Sequence, residues 1–150
     1  MNRPTWDEYF GNIAVLASMR STCIRRKVGA IIVRENTILS TGYNGVPHGI
    51  NHCTSESCIR NVKNIPSGTQ LDICLGLHAE QNAIIHAAKN GVNIKDSTIY
   101  CTTFPCLTCA KMLINCGVKE VIFINDYDDD NSKRMLALAG VNTRKLVIYG

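Results

Sequence analysis

The spacing of apolar and polar residues predicts a helix and then a hairpin in the first third of the chain. Apolar residues recur at helical spacing after Thr5 and Glu8, which form a capping box. Two further stretches, 28–33 and 37–43, have the pattern of strands. The polar residues 34–36 between them are typical of a short turn, so the two strands are expected to form a β-hairpin.

The second half of the chain alternates between helical and strand patterns. The predicted elements are a helix over 79–90, a strand over 98–102, a helix over 105–117, a strand over 121–124, a helix over 132–139 and a strand over 145–149. Strands that alternate with helices pair in parallel through right-handed crossovers. We therefore expect one α/β domain over residues 1–150, with a three-layer α/β/α architecture on a mixed five-stranded sheet.

Residues 44–77 show no sustained period and are rich in Gly, Pro, Ser, Asn and Cys. A structureless loop of this length is unusual inside a compact domain unless another interaction holds it. Four cysteines lie in or beside the segment, which suggests how it is held.

Composition favours a globular protein. The 150 residues are 45% hydrophobic and 19% charged, which argues against disorder. No apolar run approaches the roughly 18 residues of a membrane span. The first residues include Pro, Asp and Glu where a secretory signal needs an apolar core. We therefore expect a soluble, cytoplasmic protein with no membrane partner.

The charge argues against binding of nucleic acid. The net charge is +4, from 16 basic and 12 acidic residues, which is too small for a nucleic-acid-binding domain on charge alone. The acidic side chains of Asp126 and of residues 128–130 would also repel phosphates near them. No polynucleotide partner is expected.

The cysteines bring in candidate metal chemistry. Eight of them are many for a cytoplasmic chain, and without a secretory signal they favour metal binding over disulfides. His78 begins one predicted helix, and Cys106 and Cys109 begin the next. The two cysteines are i, i+3 neighbours at a helix N-terminus that favours their thiolates, so both sulfurs can reach one point. His78 supplies a third ligand and leaves one tetrahedral position open, as a catalytic zinc site requires.

Glu80 has a role other than ligation in this interpretation. A bound Zn²⁺ lowers the pKa of water from about 15.7 to about 7. The Glu80 carboxylate then takes a proton from that water and delivers it to the substrate. A CxxC pair alone is also typical of a structural zinc knuckle or a redox pair, but its combination with the His78–Glu80 motif favours catalysis. His86 lies mid-helix without a partner in sequence and is interpreted as a packing residue.

With these residues, the chain resembles the cytidine deaminase superfamily and, within it, the deoxycytidylate (dCMP) deaminases. The stretches that carry the resemblance are residues 21–23, 25–30, 41–45, 78–84, 102–106 and 109–111. The zinc motif is shared across the superfamily and implies deamination, while the stretches before residue 46 imply the substrate. The resemblance thus implies hydrolytic deamination of dCMP to dUMP and ammonia, which supplies dUMP for thymidylate synthesis.

An enzyme that acts on a nucleoside monophosphate must hold a phosphate, a sugar and a base. Residues 25–27 form the one dense basic cluster ahead of the metal motif, and the resemblance singles out Arg26 as the phosphate contact. It also implies that Asn44 and Tyr127 contact the substrate. Phe104 can form a wall of the pocket against the pyrimidine ring. Each residue also has a plainer interpretation, as solvated charge, turn residue or packing residue.

Other functions remain open from the sequence. A bifunctional dCMP/dCTP deaminase, or a deaminase of another cytosine nucleoside, would keep the chemistry and change the substrate. A zinc-stabilised binding module without activity belongs to a different class, and the intact Glu80 argues against it.

The remaining cysteines suggest a second, structural zinc. The resemblance implies that Cys23 and Cys53 are ligands. The spacing adds Cys58 and Cys74 as the other two. A closed four-cysteine site would hold the long loop without a core of its own. His48 and His52 compete for a place, and four reduced thiols are the alternative. Cys101 and Cys116 lie in apolar elements and are interpreted as small core residues.

The resemblance also implies regulation. Related enzymes form hexamers whose activity rises with dCTP and falls with dTTP, each bound with Mg²⁺ near a subunit interface. Residues 42–49 match the effector-binding loop, with Gly42, Asn44 and Gly45 as the effector-binding residues. Asn44 belongs to both sets, which provides a route for coupling between effector and substrate.

Overall fold

The computed structural model describes residues 2–148. Its α-helices are α1 (Trp6–Ser18), α2 (Ile59–Val62), α3 (Ala79–Lys89), α4 (Leu107–Asn115) and α5 (Asp130–Leu138). Its strands are β1 (Gly29–Arg34), β2 (Thr37–Tyr43), β3 (Thr98–Thr103), β4 (Glu120–Asn125) and β5 (Asn142–Lys145), and a short 3₁₀ helix covers Leu71–Ile73. Between residues 2 and 148, no helix is both long enough and apolar enough to span a bilayer.

The five strands form one mixed sheet in the order β2-β1-β3-β4-β5. Strand β1 pairs antiparallel with both β2 and β3, whereas β3, β4 and β5 pair in parallel. Helices α4 and α5 connect the parallel strands, as the alternation of elements predicts. The expected mixed five-stranded sheet is confirmed.

Successive residues of a strand point to opposite faces of the sheet and build two cores. Ile32, Ile99 and Val121 belong to a core that they share with residues of α3, α4 and α5. Ile31 and Ile122 belong to a second core, which they share with residues of α1. One helix therefore covers one face and three helices cover the other, which is the expected α/β/α arrangement.

The β1–β2 hairpin forms where the polar turn was predicted. Glu35 and Asn36 have φ angles of 52° and 58°, as a two-residue type I′ turn requires. At the far end of β2, Gly42 lies against helix α3, where a Cβ atom would stand only 2.3 Å from the Ala79 carbonyl oxygen. Glycine at this position therefore allows the strand and the helix backbones to touch.

The last strand differs from the prediction. It covers Asn142–Lys145, not 145–149, and Tyr149 lies outside the described residues. The apolar run that favoured a strand begins with Leu146, whose side chain joins the core beneath α1 and lies against Gly11. Strand β5 is an exposed edge strand of polar residues, which no apolar pattern reveals. The boundaries of the other predicted elements agree with the structure to within about two residues.

The long segment 44–77 folds back on itself. Gly45 and Leu77 form an isolated β-bridge with N···O distances of 3.1 and 2.7 Å. Cys58 and Ile65 are buried within the segment. The Tyr127 hydroxyl donates a hydrogen bond to the Gly68 carbonyl oxygen at 3.2 Å. The ends of the segment thus meet, and its middle is attached to the segment that follows β4.

A polar network ties α1 to the sheet. The Tyr100 hydroxyl and the Arg144 guanidinium each donate a hydrogen bond of 2.6 Å to the Asp7 carboxylate. The Arg144 hydrogen bond is the main reason that the pKa of Asp7 lies below its ordinary value of 3.8. Because the unfolded chain binds this proton more tightly, the network adds stability above about pH 4 and loses it as the pH falls through the lowered pKa.

The substitution Asp7→Asn should lower the free energy of unfolding at pH 7 by about 1–2 kcal/mol, a modest value because Arg144 is partly exposed. The difference should shrink at about pH 3, where Asp7 of the unmodified protein begins to bind a proton. Urea unfolding at the two pH values measures both effects. Glu56→Gln, at an exposed glutamate, is the control and should change stability little. Equal stability of the Asp7 variant and the unmodified protein at pH 7 would contradict this account.

Candidate active site

Two helix N-termini meet beside the carboxyl end of β3 and bring together three side chains that are able to bind a metal ion. His78 precedes α3, Cys106 precedes α4, and Cys109 lies in the first turn of α4. His78 Nδ1 lies 3.2 Å from Cys109 Sγ and 3.4 Å from Cys106 Sγ. Within residues 2–148, no other group of three or more His, Cys, Asp or Glu side chains has all its ligand atoms within 4.8 Å. The three residues that the sequence predicts to share a metal ion therefore lie together in the structure.

The donor set fits a Zn²⁺ ion in chemistry and in charge. Hydrogen bonds from Cys109 and His78 lower the pKa of Cys106 to about 4 although burial opposes the shift. The contact with Cys106, together with burial, raises the pKa of the Cys109 thiol. Cys106 is therefore a thiolate at neutral pH, and both sulfurs become thiolates when they bind a divalent cation. His78 would complete the set with a ring nitrogen.

Glu80 lies in the first turn of α3, two residues after His78, and lines the same cavity. Its side chain is buried, with 4% of the residue exposed. Burial raises the pKa of its carboxyl group, and the nearby His78 imidazole opposes the shift. A carboxyl group with a raised pKa can both accept and release a proton near neutral pH. This arrangement suits Glu80 to proton transfer.

Two polar residues that the sequence analysis did not select hold the Cys106 segment in place. Asp129 accepts hydrogen bonds from the Leu107 N–H at 3.1 Å and from the Ser132 N–H at 3.0 Å. Ser132 is buried and donates to the Pro105 carbonyl oxygen at 2.6 Å. Asp129 therefore caps α4 as well as α5. The sequence shows an N-cap residue ahead of α5, but nothing in it indicates the second cap.

His78 and Cys106 border a cavity of about 130 Å³, roughly ten times the space needed by one water molecule. The residues predicted to bind the substrate line this cavity, and they are Arg26, Asn44, Phe104 and Tyr127. Two further arginines, Arg25 and Arg60, line it as well. In the sequence, Arg25 belongs to the basic cluster of residues 25–27. Arg60 was not predicted, because its position in an aperiodic loop carries no distinguishing signal.

Asn44 joins two walls of the cavity. Its Oδ1 accepts a hydrogen bond from the Val28 N–H at 2.9 Å, and its Nδ2 donates to the Arg26 carbonyl oxygen at 2.8 Å. A primary amide keeps one further N–H and one lone pair for a ligand. The exposed Arg26 guanidinium lies 5.5 Å from the centre of the Tyr127 ring, within cation–π distance. Asn44 thus fixes the segment that places Arg26 at the rim.

Phe104 forms an apolar wall of the cavity. It is buried and packs edge-to-face against Phe123, with 4.8 Å between the ring centres. The Lys133 ammonium lies 5.6 Å from the centre of the Phe104 ring. An aromatic ring fixed in this way suits contact with a flat heterocycle.

The predicted effector residues occupy two different places. Asn44 and Gly45 line the cavity, whereas Gly42 is buried against α3 and does not. Gly42 therefore sets the position of a helix, and any contact with an effector from this group would come through Asn44 and Gly45.

The four cysteines of the predicted second zinc site line the same cavity. Burial contributes most to the raised pKa of Cys53, and the charges of Cys58, Cys74 and Cys23 add to it. In the described part of the chain, however, no three of these sulfurs lie within 4.8 Å of one another. The four residues face one space without forming a ligand set, and the second zinc stays a prediction.

The other histidines do not line the cavity. His86 Nδ1 donates to the Thr41 carbonyl oxygen at 2.7 Å, which agrees with a packing role. His52 Nδ1 lies 2.8 Å from Thr22 Oγ1. Neither His48 nor His52 lines the cavity.

Cys101 and Cys116 both pack in or against the larger core, as small apolar residues do. Cys101 is fully buried, and its burial together with the nearby charge of Glu80 raises the pKa of its thiol. It therefore stays protonated beneath the site.

Comparison with known proteins agrees with this site. Residues 4–125 match the cytidine and deoxycytidylate deaminase zinc-binding region. The deoxycytidylate deaminase of Schizosaccharomyces pombe is 41% identical over 146 residues, which cover 97% of this chain and 45% of that protein. The chain thus spans a little under half the length of this yeast relative. The deoxycytidylate deaminase of Mycobacterium phage D29 is 35% identical over 128 residues, which cover 82% of this chain and 97% of that protein.

A solved structure has the same fold. The crystal structure of dCMP deaminase from the cyanophage S-TIM5, in complex with dCMP and dUMP, has a TM-score of 0.80 and 34% sequence identity. The match covers 97% of this chain and 100% of that one. The matched region of the family includes His78, Glu80 and both sulfur ligands. The chain belongs to the cytidine and deoxycytidylate deaminase family.

Proposed function

We propose that residues 1–150 act as one domain that catalyses the hydrolytic deamination of dCMP to dUMP and ammonia. The observation that carries the proposal is the convergence of His78, Cys106 and Cys109 beside the buried Glu80, in a cavity whose rim holds Arg26. The S-TIM5 relative was solved with dCMP and dUMP, which supports the choice of nucleotide.

The residues have separate roles in this reaction. When His78, Cys106 and Cys109 hold Zn²⁺, the metal supplies a Lewis acid that lowers the pKa of water to about 7. Water adds to the ring carbon that bears the amine, the C–N bond breaks, and ammonia leaves. Glu80 accepts a proton from the water and delivers protons to the adjacent ring nitrogen and to the leaving amine. The burial of Glu80 raises its pKa, which favours its role as a proton carrier.

The substrate is held by the other residues of the cavity. Phe104 offers its fixed ring to the pyrimidine, Asn44 offers the free part of its amide to the sugar or base edge, and Arg26 offers its guanidinium to the phosphate. The Tyr127 ring stabilises the Arg26 guanidinium by a cation–π contact. A dCMP/dCTP deaminase and a deaminase of another cytosine nucleoside would use the same chemistry, and ammonia release from dCMP, dCTP and deoxycytidine separates the three.

A binding module without activity is disfavoured by Glu80. Burial of a carboxyl group destabilises a fold unless the group is paired. Glu80 is buried in the wall of the same cavity as His78 and Cys106. A purely structural zinc site has no need of it.

The wider role follows from the same reaction. The product dUMP would supply thymidylate synthesis, and the eight cysteines, none of them in a disulfide, suit a cytoplasmic location. We also propose a homohexamer in which dCTP activates and dTTP inhibits, each with Mg²⁺. The placement of Asn44 and Gly45 at the cavity supports a link between effector and substrate.

A second, structural zinc held by Cys23, Cys53, Cys58 and Cys74 is proposed as well. The four cysteines line one cavity, which supports their binding of a shared ion. Zinc binding would supply to this loop the free energy that an apolar core supplies elsewhere.

Glu80→Gln should reduce ammonia release from dCMP by about 10²–10⁴-fold, because the amide cannot carry protons between water and substrate. The variant should stay folded and keep its catalytic zinc, since Glu80 is not a ligand. An enzymatic ammonia assay and elemental analysis measure the two properties. Glu35→Gln, on the β1–β2 turn, is the control and should retain full activity. Near-normal activity of the Glu80 variant would refute the mechanism.

Elemental analysis should find about two zinc ions per chain, and about one when Cys53 and Cys58 are both changed to Ser. Cys116→Ser, whose thiol packs against the core, should leave the count unchanged. A count of one in the unmodified protein would remove the structural zinc.

The dependence of rate on dCMP concentration should be sigmoidal, become hyperbolic with dCTP, and be inhibited by dTTP, all with Mg²⁺ present. The coupling free energy should be on the order of 1–3 kcal/mol. Steady-state rates at fixed effector concentrations measure it. Hyperbolic rates that neither triphosphate changes would reject the regulation and leave the deaminase assignment intact.

A further inference from the structure

Arg60 is a buried cation in the wall of the cavity. It lies in the short helix α2, and only 9% of the residue is exposed. Its Nη2 donates a long hydrogen bond of 3.4 Å to the Pro66 carbonyl oxygen. Its Nε is buried, and residues 2–148 provide no acceptor for it. The side chain therefore has hydrogen-bonding capacity that the protein does not use.

Arg25 also donates to a carbonyl oxygen of this loop and has a buried N–H without an acceptor among the described residues. Its Nη2 donates to the Ile65 carbonyl oxygen at 2.7 Å. Its Nη1 is also buried without an acceptor in the described chain. Because Ile65 and Pro66 are consecutive, the two guanidinium groups are attached to neighbouring carbonyls. The loop thus holds two partly unsatisfied guanidinium groups near each other at one cavity.

The charges around the cavity are not balanced. Three arginines line it, Arg25, Arg26 and Arg60, against one carboxyl group, Glu80, whose pKa is raised by burial. None of the three arginines takes part in an ion pair within the described residues. A buried guanidinium without a carboxylate destabilises a fold unless an anion compensates it.

Arg60 lines the same cavity as His78, Arg26 and Tyr127. Arg26 is exposed at the rim beside the Tyr127 ring, whereas Arg60 is buried. An anion that reaches Arg26 at the rim and extends inward would meet Arg60 next.

We propose that Arg60, with Arg25 beside it, binds the phosphate group of the nucleotide substrate and thereby stabilises the loop of residues 58–74. This inference rests on the proposed function and adds two inner residues to the rim contact of Arg26. A guanidinium fork with free N–H groups matches phosphate oxygens, and such charge-assisted hydrogen bonds are about twice as strong as neutral ones.

Calorimetric titration with dUMP and with deoxyuridine tests the contact, because the two ligands differ only in the phosphate. Arg60→Met should raise the Kd for dUMP on the order of 10- to 100-fold and leave the Kd for deoxyuridine unchanged. Arg60→Lys keeps the charge without the fork and should fall between. Arg134→Met, at an exposed arginine of α5, is the control and should bind both ligands normally.

Thermal unfolding separates binding from a structural role. In phosphate-free buffer, Arg60→Met should unfold at the same temperature as the unmodified protein or higher, because it removes an uncompensated buried charge. Inorganic phosphate should raise the unfolding temperature of the unmodified protein and of Arg134→Met but have a much smaller effect on Arg60→Met. If Arg60→Met does not fold, the same comparison with Arg60→Lys decides the matter.

Two results would overturn the proposal. One is an unchanged Kd for dUMP in Arg60→Met, and the other is an equal loss of affinity for dUMP and deoxyuridine. The proposed function fails separately, if the unmodified protein releases no ammonia from dCMP. A phosphate-dependent rise in unfolding temperature that requires Arg60 would still support the anion site in that case.

Discussion

The backbone of strand β2 touches the first turn of helix α3 at Gly42, and the geometry of the candidate active site depends on that contact. Any Cβ atom at Gly42 would overlap the carbonyl group of Ala79, the residue between His78 and Glu80. One close approach therefore sets the positions of His78 and Glu80 together. The other half of the site is set by Asp129, which binds the first N–H of α4 and fixes Cys106 relative to α5. Both contacts fix helix N-termini, where the electrostatic field of the helix favours thiolates.

The features predicted from sequence are those that depend on local pattern. The hairpin and the alternation of helices and strands follow from spacing within a few residues. His78 could be grouped with Cys106 and Cys109 because each motif is itself local and begins a predicted helix. The features that were missed depend on contacts between distant residues. Strand β5 is a polar edge whose pairing with β4 leaves no period, and the run that begins at Leu146 packs under α1 instead. The double cap by Asp129 has the same character, since one of its two donors lies 22 residues away.

The walls of the cavity differ in electrostatic character. The lowered pKa of Cys106 keeps its sulfur a thiolate at neutral pH, and the contact with that sulfur raises the pKa of His78. The wall formed by Arg25 and Arg60 is cationic and lacks its own counter-ion in the described chain. Under the proposed function, the metal belongs with the His78 donor set and the phosphate belongs beside the two guanidinium groups. Because two thiolates offset the charge of Zn²⁺, the cationic wall supplies the charge that would orient the nucleotide.

The loop of residues 58–74 is attached to the rest of the molecule mainly by polar contacts. The Arg25 guanidinium and the Tyr127 hydroxyl donate to the carbonyl oxygens of Ile65 and Gly68. Because the arginine that holds the loop also has an unsatisfied N–H in the cavity, binding of an anion and order of the loop involve the same group. A ligand that binds only when the loop is ordered stabilises the ordered loop. The size of this stabilisation depends on how much the loop contributes to the affinity for the ligand. Substitutions that loosen the loop would therefore weaken nucleotide binding even where they touch no ligand.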